Sequence, residues 1–361
     1  MVNDYFLQNV FEFNFALSFL FVISILFVFF WKNIFNFFKL KEYDSVQKTH
    51  EIETPRIGGI LILLTIIFYV ITDFNHQNNS LKIFFYNLLP SLFCFGFFSA
   101  KEDIFHNVKP TQRLFSLVVA TLLFFYINDF ELPFVDIPLI GNLINNPFIL
   151  IPVFTLGVVA VSNGTNMIDG VNGLAIVVSI TILFSLSFLA ITFDDYFILN
   201  ISIFLISLMI ILLSINYPFG FLFLGDFGAY FVGFICSLLT IIFFGRNPGI
   251  SNYVAILILC YPLTEVIFSF FRKFFSNNVH PFYPDRKHIH LLIFDIINLR
   301  GISTKCANNL IMPLLCSLWL LPVLILPYVF HSKVFTIFAI FLYIFVYLLH
   351  YFILRRLISL S

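Results

Sequence analysis

The sequence predicts an all-α polytopic membrane protein, on three observations. Apolar residues make up 60% of the chain and charged residues only 11%, against roughly 25% charged in soluble domains. The apolar residues fall into runs close to the length of about 20 residues that a helix needs to cross a bilayer. The basic residues gather on alternate connecting segments.

Taken in order, the runs lie near 12–31, 57–73, 81–100, 112–128, 148–162, 172–193, 197–215, 228–245, 250–271, 309–330 and 334–354, which predicts eleven spans. The first is too long, and lacks the basic leading region, for a typical cleaved signal peptide. With the N-terminus outside, the inner segments carry Lys32, Lys39, Lys41, Lys48, Arg56, Lys101, Lys109, Arg113, Arg272, Lys273, Arg286, Lys287, Arg300, Lys305, Arg355 and Arg356, while Lys82, Arg246 and Lys333 lie outside. Sixteen against three satisfies the positive-inside rule and sets the C-terminus in the cytoplasm. The 54 Phe show no spacing of a ring-stacking site and read as lipid-facing filler. Cys94, Cys236, Cys260, Cys306 and Cys316 form no C-x-x-C pair, so neither a disulfide framework nor a zinc site is indicated. The whole chain reads as one transmembrane catalytic domain, residues 1–361, with site loops at 47–59, 100–113, 162–175, 216–230 and 272–308.

Those loops, all on the inner side, concentrate the polar chemistry: "QKTHEIETPRIGG", "AKEDIFHNVKPTQR", "SNGTNMIDGVNGLA", "NYPFGFLFLGDFGAY" and "HPFYPDRKHIHLLIFD". The outer loops "DFNHQNNS" and "DFELPFVDIPLIGNLINNP" hold no comparable set. A transporter should show polar groups near mid-membrane in both halves, often as an inverted repeat; no such repeat is visible.

Each motif has a physical reading. Asn163, Asn166 and Asp169 stand three residues apart, at a spacing that shares a helical face, and Gly170 and Gly173 follow where backbone must turn or be approached closely. Such amides and a carboxylate suit a nucleobase edge; a helix C-cap with an Asx turn accounts for the same residues. Glu102 and Asp103 are adjacent acids that could hold Mg²⁺ or form a solvated loop. Asp226 is the lone carboxylate of an apolar run, and a charge near lipid marks a functional site by default; the topology sets it at the membrane boundary. His288 and His290, two apart, cannot share a helical face, but on a loop they and Arg286 could all point at a phosphate or sugar oxygen. Glu265 lies about 10 Å inside the membrane by the helical rise, there to pair with Arg272 or another base or to support the site from behind.

Together, in order from about residue 47 to 295, these five segments resemble the polyprenyl-phosphate N-acetylhexosamine-1-phosphate transferases, glycosyltransferase family 4. "TPRIGG", "NMIDGVNGL" and "PDRKHIH" are most similar to the bacterial undecaprenyl-phosphate GlcNAc-1-phosphate branch; the phospho-MurNAc-pentapeptide branch usually has adjacent His. The resemblance implies transfer of a sugar-1-phosphate from a UDP-N-acetylhexosamine such as UDP-GlcNAc to undecaprenyl phosphate, with Mg²⁺ (or Mn²⁺) as cofactor and UMP as product. It implies an enzyme of the inner membrane with its site facing the cytosol, starting a lipid-linked envelope glycan. Its partners are those substrates and the bilayer, with a homodimer as one arrangement and no nucleic acid.

Residue by residue, the resemblance makes Asp226 and Asp103 metal ligands, with Asp226 expected to be balanced by the dication and not by a protein partner, and Glu102 and Asp103 the acidic pair. Asp169 and Gly170 match the uridine-binding turn, with Asn163, Asn166 and Asn172 around it. Asn216 and Phe223 match positions that hydrogen-bond and stack on uracil, and Arg286, His288 and His290 the loop that contacts diphosphate and sugar. The sequence departs from the usual pattern at Glu102, where Asp is common, at His106 and Asn172, where acids are common, and at Leu291, where a further His is.

Overall fold

The computed structural model describes residues 14–30, 54–72, 80–135, 141–275 and 285–360. Lys32, Lys39, Lys41 and Lys48, the start of the 47–59 motif, and His280 to Pro284 lie outside these. Among the described residues the structure is helical without strands: α1 Asn14–Phe30, α2 Gly58–Ile71, α3 Ser80–Phe105, α4 Pro110–Ile127, α5 Gly141–Ile144, α6 Pro147–Ile168, α7 Leu174–Thr192, α8 Tyr196–Asn216, α9 Gly225–Arg246, α10 Tyr253–Ile258, α11 Cys260–Phe274, α12 Ile289–Leu299, α13 Thr304–Leu314, α14 Cys316–Trp319, α15 Leu321–Val329 and α16 Lys333–Leu360.

Among the described residues, eight stretches are long and apolar enough to cross a membrane: α3, α4, α6, α7, α8, α9, the α13–α15 run and α16. The protein is therefore a polytopic all-α membrane protein. Eleven spans were expected; α1 and α2 form shorter apolar helices, and the run at 250–271 is divided. Its break falls at Leu259 (φ −92°, ψ 11°), just before Pro262, whose ring and missing N–H disfavour the helix turn preceding it. The 309–330 run is stepped in the same way beside Pro313 and Pro322.

α9 is the axle. All but two of its residues are buried, and α2, α3, α6 and α7 pack round it. Small residues permit the approach: a Cβ on Gly233 would lie 2.6 Å from Ser162 Cα in α6, and one on Gly59 would lie 2.3 Å from the Gly228 nitrogen. A helix apolar on every face belongs in such a core. Many Phe rings, among them Phe29, Phe97, Phe115, Phe148 and Phe338, are exposed on the outer faces, as lipid-facing filler requires.

Candidate active site

The site is built on the N-terminus of α9. The segment before it runs beside residues 54–59, with Phe223 N–H donating to Pro55 O (2.9 Å), Gly58 N–H to Phe223 O (2.9 Å) and Gly59 N–H to Leu224 O (3.0 Å). "TPRIGG" and "GDFG" are thus two halves of one backbone contact. Gly225 is demanded twice over: its φ is +72°, and a Cβ there would stand 2.7 Å from both Arg56 O and Asp103 Oδ2. An L-residue tolerates neither.

That space is filled by Asp103. Its Oδ1 accepts from Asp226 N–H (2.7 Å) and its Oδ2 from Phe227 N–H (2.9 Å), so a carboxylate from the end of α3 caps α9. Helix N-termini leave N–H groups unpaired and carry partial positive charge, and a carboxylate answers both needs. Glu102 points elsewhere, accepting from Val108 N–H (2.8 Å) and holding the turn into α4.

Asp226, 5% exposed, lies between two guanidiniums. Arg56 Nη2 donates to Oδ1 at 2.8 Å, and Arg113 Nη1 meets Oδ2. Arg56 also reaches Asp103, with Nε 3.5 Å from Oδ1. The expectation that Asp226 lacks a protein partner is thereby corrected: a buried carboxylate needs compensation even before any substrate arrives, and Arg56 and Arg113 supply it. Asp169, the residue closing α6, faces Arg56 and Asp103. Burial pushes its carboxyl up to about 7, with Arg56 opposing the rise.

Asp103, Asp169 and Asp226 gather three carboxyl groups around two arginines, an oxygen-rich set that suits a divalent cation. Among the described residues no three His, Cys, Asp or Glu side chains form a protein-only metal cage; Mg²⁺ does not require one, being commonly held by one or two carboxylates plus substrate phosphates. Asp226 fits that role. Asp103 is committed through both oxygens to the α9 backbone, which fits a positioning group.

Asn163 and Asn166 sit on the last turns of α6, as the three-residue spacing predicts. Asn163 Nδ2 is 3.6 Å from Met167 Sδ, and Asn166 lies beside Tyr230, one turn along α9 from Asp226. Other amides are spent inside the protein. Asn216 accepts from Gly173 N–H (2.5 Å) and donates to Leu222 O (2.6 Å), fastening the start of α7 to the segment that leads into α9. Asn172 donates from its backbone to Asn308 Oδ1 (2.7 Å) and from its side chain to Asn309 Oδ1 (2.8 Å). Both are buried. The structure therefore gives Asn216 and Asn172 work in holding the pocket wall. Asn308 and Asn309 were missed; two adjacent amides entering an apolar run were the available signal. Phe223 is half-buried, its backbone pinned by the contacts to Pro55 and Gly58.

The structure parts the residues of "DRKHIH". Arg286 turns to Asp295 on α12 (2.7 Å). His288 and His290 turn inward, 2% and 1% exposed, with their rings stacked 5.7 Å apart. A Cβ on Gly170 would stand 2.8 Å from His290 Nε2, so the histidine backs the "IDG" turn directly. Burial, together with neighbouring His288, lowers His290 to about 3, and its imidazole is neutral at physiological pH. The expectation that all three side chains converge from an open loop is corrected. Apolar α12 starts at Ile289 and draws the histidines into the core with it.

Fold and site together define a membrane enzyme whose charged cluster closes one end of a helical bundle. Residues 85–244 match the family model for glycosyl transferase family 4, the span running from α3 through α9. Over that span the chain is similar to that family. It is 23% identical over 250 residues to the probable undecaprenyl-phosphate N-acetylglucosaminyl 1-phosphate transferase of Bacillus subtilis strain 168, covering 69% of this chain and 68% of the relative. It is 26% identical over 270 residues to the undecaprenyl-phosphate alpha-N-acetylglucosaminyl 1-phosphate transferase of Thermotoga maritima, covering 75% and 76%. It is likewise 26% identical over 225 residues to the phospho-N-acetylmuramoyl-pentapeptide-transferase of Streptococcus thermophilus strain CNRZ 1066, covering 57% and 65%.

Proposed function

We propose that the protein transfers an N-acetylhexosamine-1-phosphate, with GlcNAc as the favoured sugar, from its UDP-sugar to undecaprenyl phosphate, releasing UMP. The observation that carries this reading is the Arg56–Asp226–Arg113 cluster on the α9 N-terminus, beside Asp103 and the "IDG" turn. It lies at the end of a spanning helix, where a lipid-borne phosphate and a soluble nucleotide can meet. By the charge asymmetry of the loops that end faces the cytosol, in the inner membrane, with the N-terminus outside.

An oxygen of the acceptor phosphate attacks the β-phosphorus of the UDP-sugar, the bond from that phosphorus to the bridging oxygen breaks, and UMP departs with the bridging oxygen. The obstacle is repulsion between anions. Arg56 and Arg113 can turn from Asp226 to phosphate oxygens and neutralise charge developing there, the usual source of catalysis in phosphoryl transfer. Mg²⁺ or Mn²⁺, held by Asp226 and substrate phosphates, would supply Lewis-acid charge neutralisation at the diphosphate. Asp103, capping α9, keeps Asp226 in place. With both its oxygens engaged it is a poor nucleophile, which favours direct displacement over an aspartyl-phosphate. The acceptor, with a second pKa of about 6, is already largely dianionic at neutral pH and needs little help from a base. Asn163, Asn166 and Asp169 line the side on which the uridine is read, with Phe223 as its stacking ring.

Purified protein should release UMP from UDP-GlcNAc only when undecaprenyl phosphate and Mg²⁺ are both present. No UMP across a panel of UDP-N-acetylhexosamines would overturn the assignment. Turnover of UDP-MurNAc-pentapeptide alone would move the protein to the second reading, suggested by the Streptococcus relative, of a phospho-MurNAc-pentapeptide transferase.

A further inference from the structure

α11 is apolar except along one stripe. Glu265, Ser269, Arg272 and Lys273 follow at intervals of four, seven and eight residues from Glu265, which places them on one helical face. This face grips the segment leading into α12. Arg272 donates to both oxygens of Asp285 (2.5 and 3.1 Å), and Lys273 Nζ is 3.9 Å from Asp285 Oδ1. Deeper in, Glu265 is 1% exposed, a depth at which an unanswered carboxylate is costly. Its Oε1 lies 2.7 Å from His288 Nδ1, and its Oε2 accepts from the Tyr347 hydroxyl at 2.7 Å. Tyr347 comes from the final helix, α16.

We infer that Glu265 and Tyr347 are positioning residues, which fix the tautomer and the ring orientation of His288 for the phosphoryl transfer proposed above. The inference rests on that reading for its chemistry and on the contacts alone for its geometry. A carboxylate accepting the tyrosine proton on one oxygen accepts from the imidazole on the other, so Nδ1 of His288 carries the hydrogen. Nε2 is then the nitrogen to be presented. It stands 3.4 Å from Asp285 Oδ1, longer than a normal N–H···O bond, and as the lone-pair nitrogen it can accept from a substrate hydroxyl. The arrangement of tyrosine, carboxylate and imidazole repeats the logic by which a buried acid orients a working histidine.

α16 also presents Tyr343 and Tyr351 on the face that carries Tyr347, all three at most 1% exposed. The Tyr343 hydroxyl finds no hydrogen-bond partner among the described residues. It is the internal control, a buried tyrosine of the same helix outside the relay.

The test uses the full chain in detergent with ¹⁵N-labelled histidine. His288, assigned by difference against His288→Gln, should show a protonated Nδ1 without any substrate. In UMP release, Tyr347→Phe should lower kcat about ten-fold and Glu265→Gln about a hundred-fold, the range seen when a carboxylate that orients a working histidine is lost. KM for the donor and Tm should hold, and Tyr343→Phe should stay within two-fold of wild type. An unprotonated Nδ1 overturns the inference, as do wild-type kcat values for both relay variants or activity falling only in step with the folded fraction. Should no donor be turned over by the wild type, the functional reading fails and the tautomer measurement alone decides the relay.

Discussion

The two ends of α9 use the same chemical pair to different ends. At its C-terminus, Arg246 donates to Asp195 through Nε (2.8 Å) and Nη2 (3.2 Å), and its guanidinium lies over the Phe197 ring at 5.3 Å. Asp195 also caps α8, accepting from Ile198 N–H (3.3 Å), and accepts from Asn247 (3.3 Å). One acid there meets one guanidinium and two further donors, and the set is closed. A cleft of about 500 Å³ opens beside it, lined in part by Phe193, Phe244, Asn252 and Lys333, with no carboxylate in its wall. At the N-terminus, Asp103, Asp169 and Asp226 gather near Arg56, with Arg113 on Asp226, and carboxyl groups outnumber guanidiniums. A buried carboxylate–guanidinium pair is therefore not itself a mark of chemistry. Imbalance is, because it leaves carboxyl oxygens for a cation and guanidiniums that can be recruited by phosphate.

Neutralising each acid separates the two ends most sharply. Asp226→Asn should lower UMP release by about 10²–10³-fold, the scale of losing one preorganised electrostatic group, in protein that still inserts and folds. Asp195→Asn should leave kcat within two-fold but destabilise the fold by about 1–3 kcal/mol, since it weakens hydrogen bonds to charged groups. Equal losses of turnover in the two variants would remove the distinction.

The glycines break the comparison at the backbone. Gly225→Ala forces a Cβ into φ +72° and against Asp103, for a cost of about 1–3 kcal/mol and a displaced cap, so turnover should fall together with Tm. Gly249, near the far cleft, has nothing within 4 Å of a Cβ, and Gly249→Ala should change stability by no more than about 0.5 kcal/mol. Denaturation of both variants in one detergent, with UMP release measured alongside, reads the difference.

Gly170 and Gly173 were legible in the sequence because a Gly beside polar residues in an apolar chain has few uses. The order of the motifs and the long apolar spans were equally plain, since both are properties of consecutive residues. The pairings were not. Asp103 caps a helix through an N–H 123 residues later, and Arg56 meets an acid 170 residues away. Nothing local distinguishes a carboxylate awaiting a metal from one awaiting a helix end. The division at Leu259 was announced by Pro262 but hidden by unbroken hydropathy. The Tyr343, Tyr347 and Tyr351 stripe, spaced by fours, was readable as a buried face, while its hydrogen bond to Glu265 depended on packing.

The smallest effect sharpens the picture of the catalytic end itself, where Asp169 and His290 flank Gly170 with pH dependences of opposite sign. Asp169 is raised from 3.8 to about 7 in the folded protein. Between about pH 4 and 7 the unfolded chain has released a proton that the folded one keeps, so Asp169 withdraws stability as pH rises through that window. His290 is lowered from 6.5 to about 3. The unfolded chain takes up a proton below about 6.5 that the folded one refuses, so His290 withdraws stability as pH falls from there toward 3. Melting curves across pH 4 to 8 should therefore show Asp169→Asn gaining on wild type toward pH 8 and His290→Gln gaining toward pH 4. Divergence in those directions would show that burial of the "IDG" turn against α12 governs both groups. Parallel curves would mean that this wall of the site is open to water, as the Arg286–Asp295 pair beside it already is.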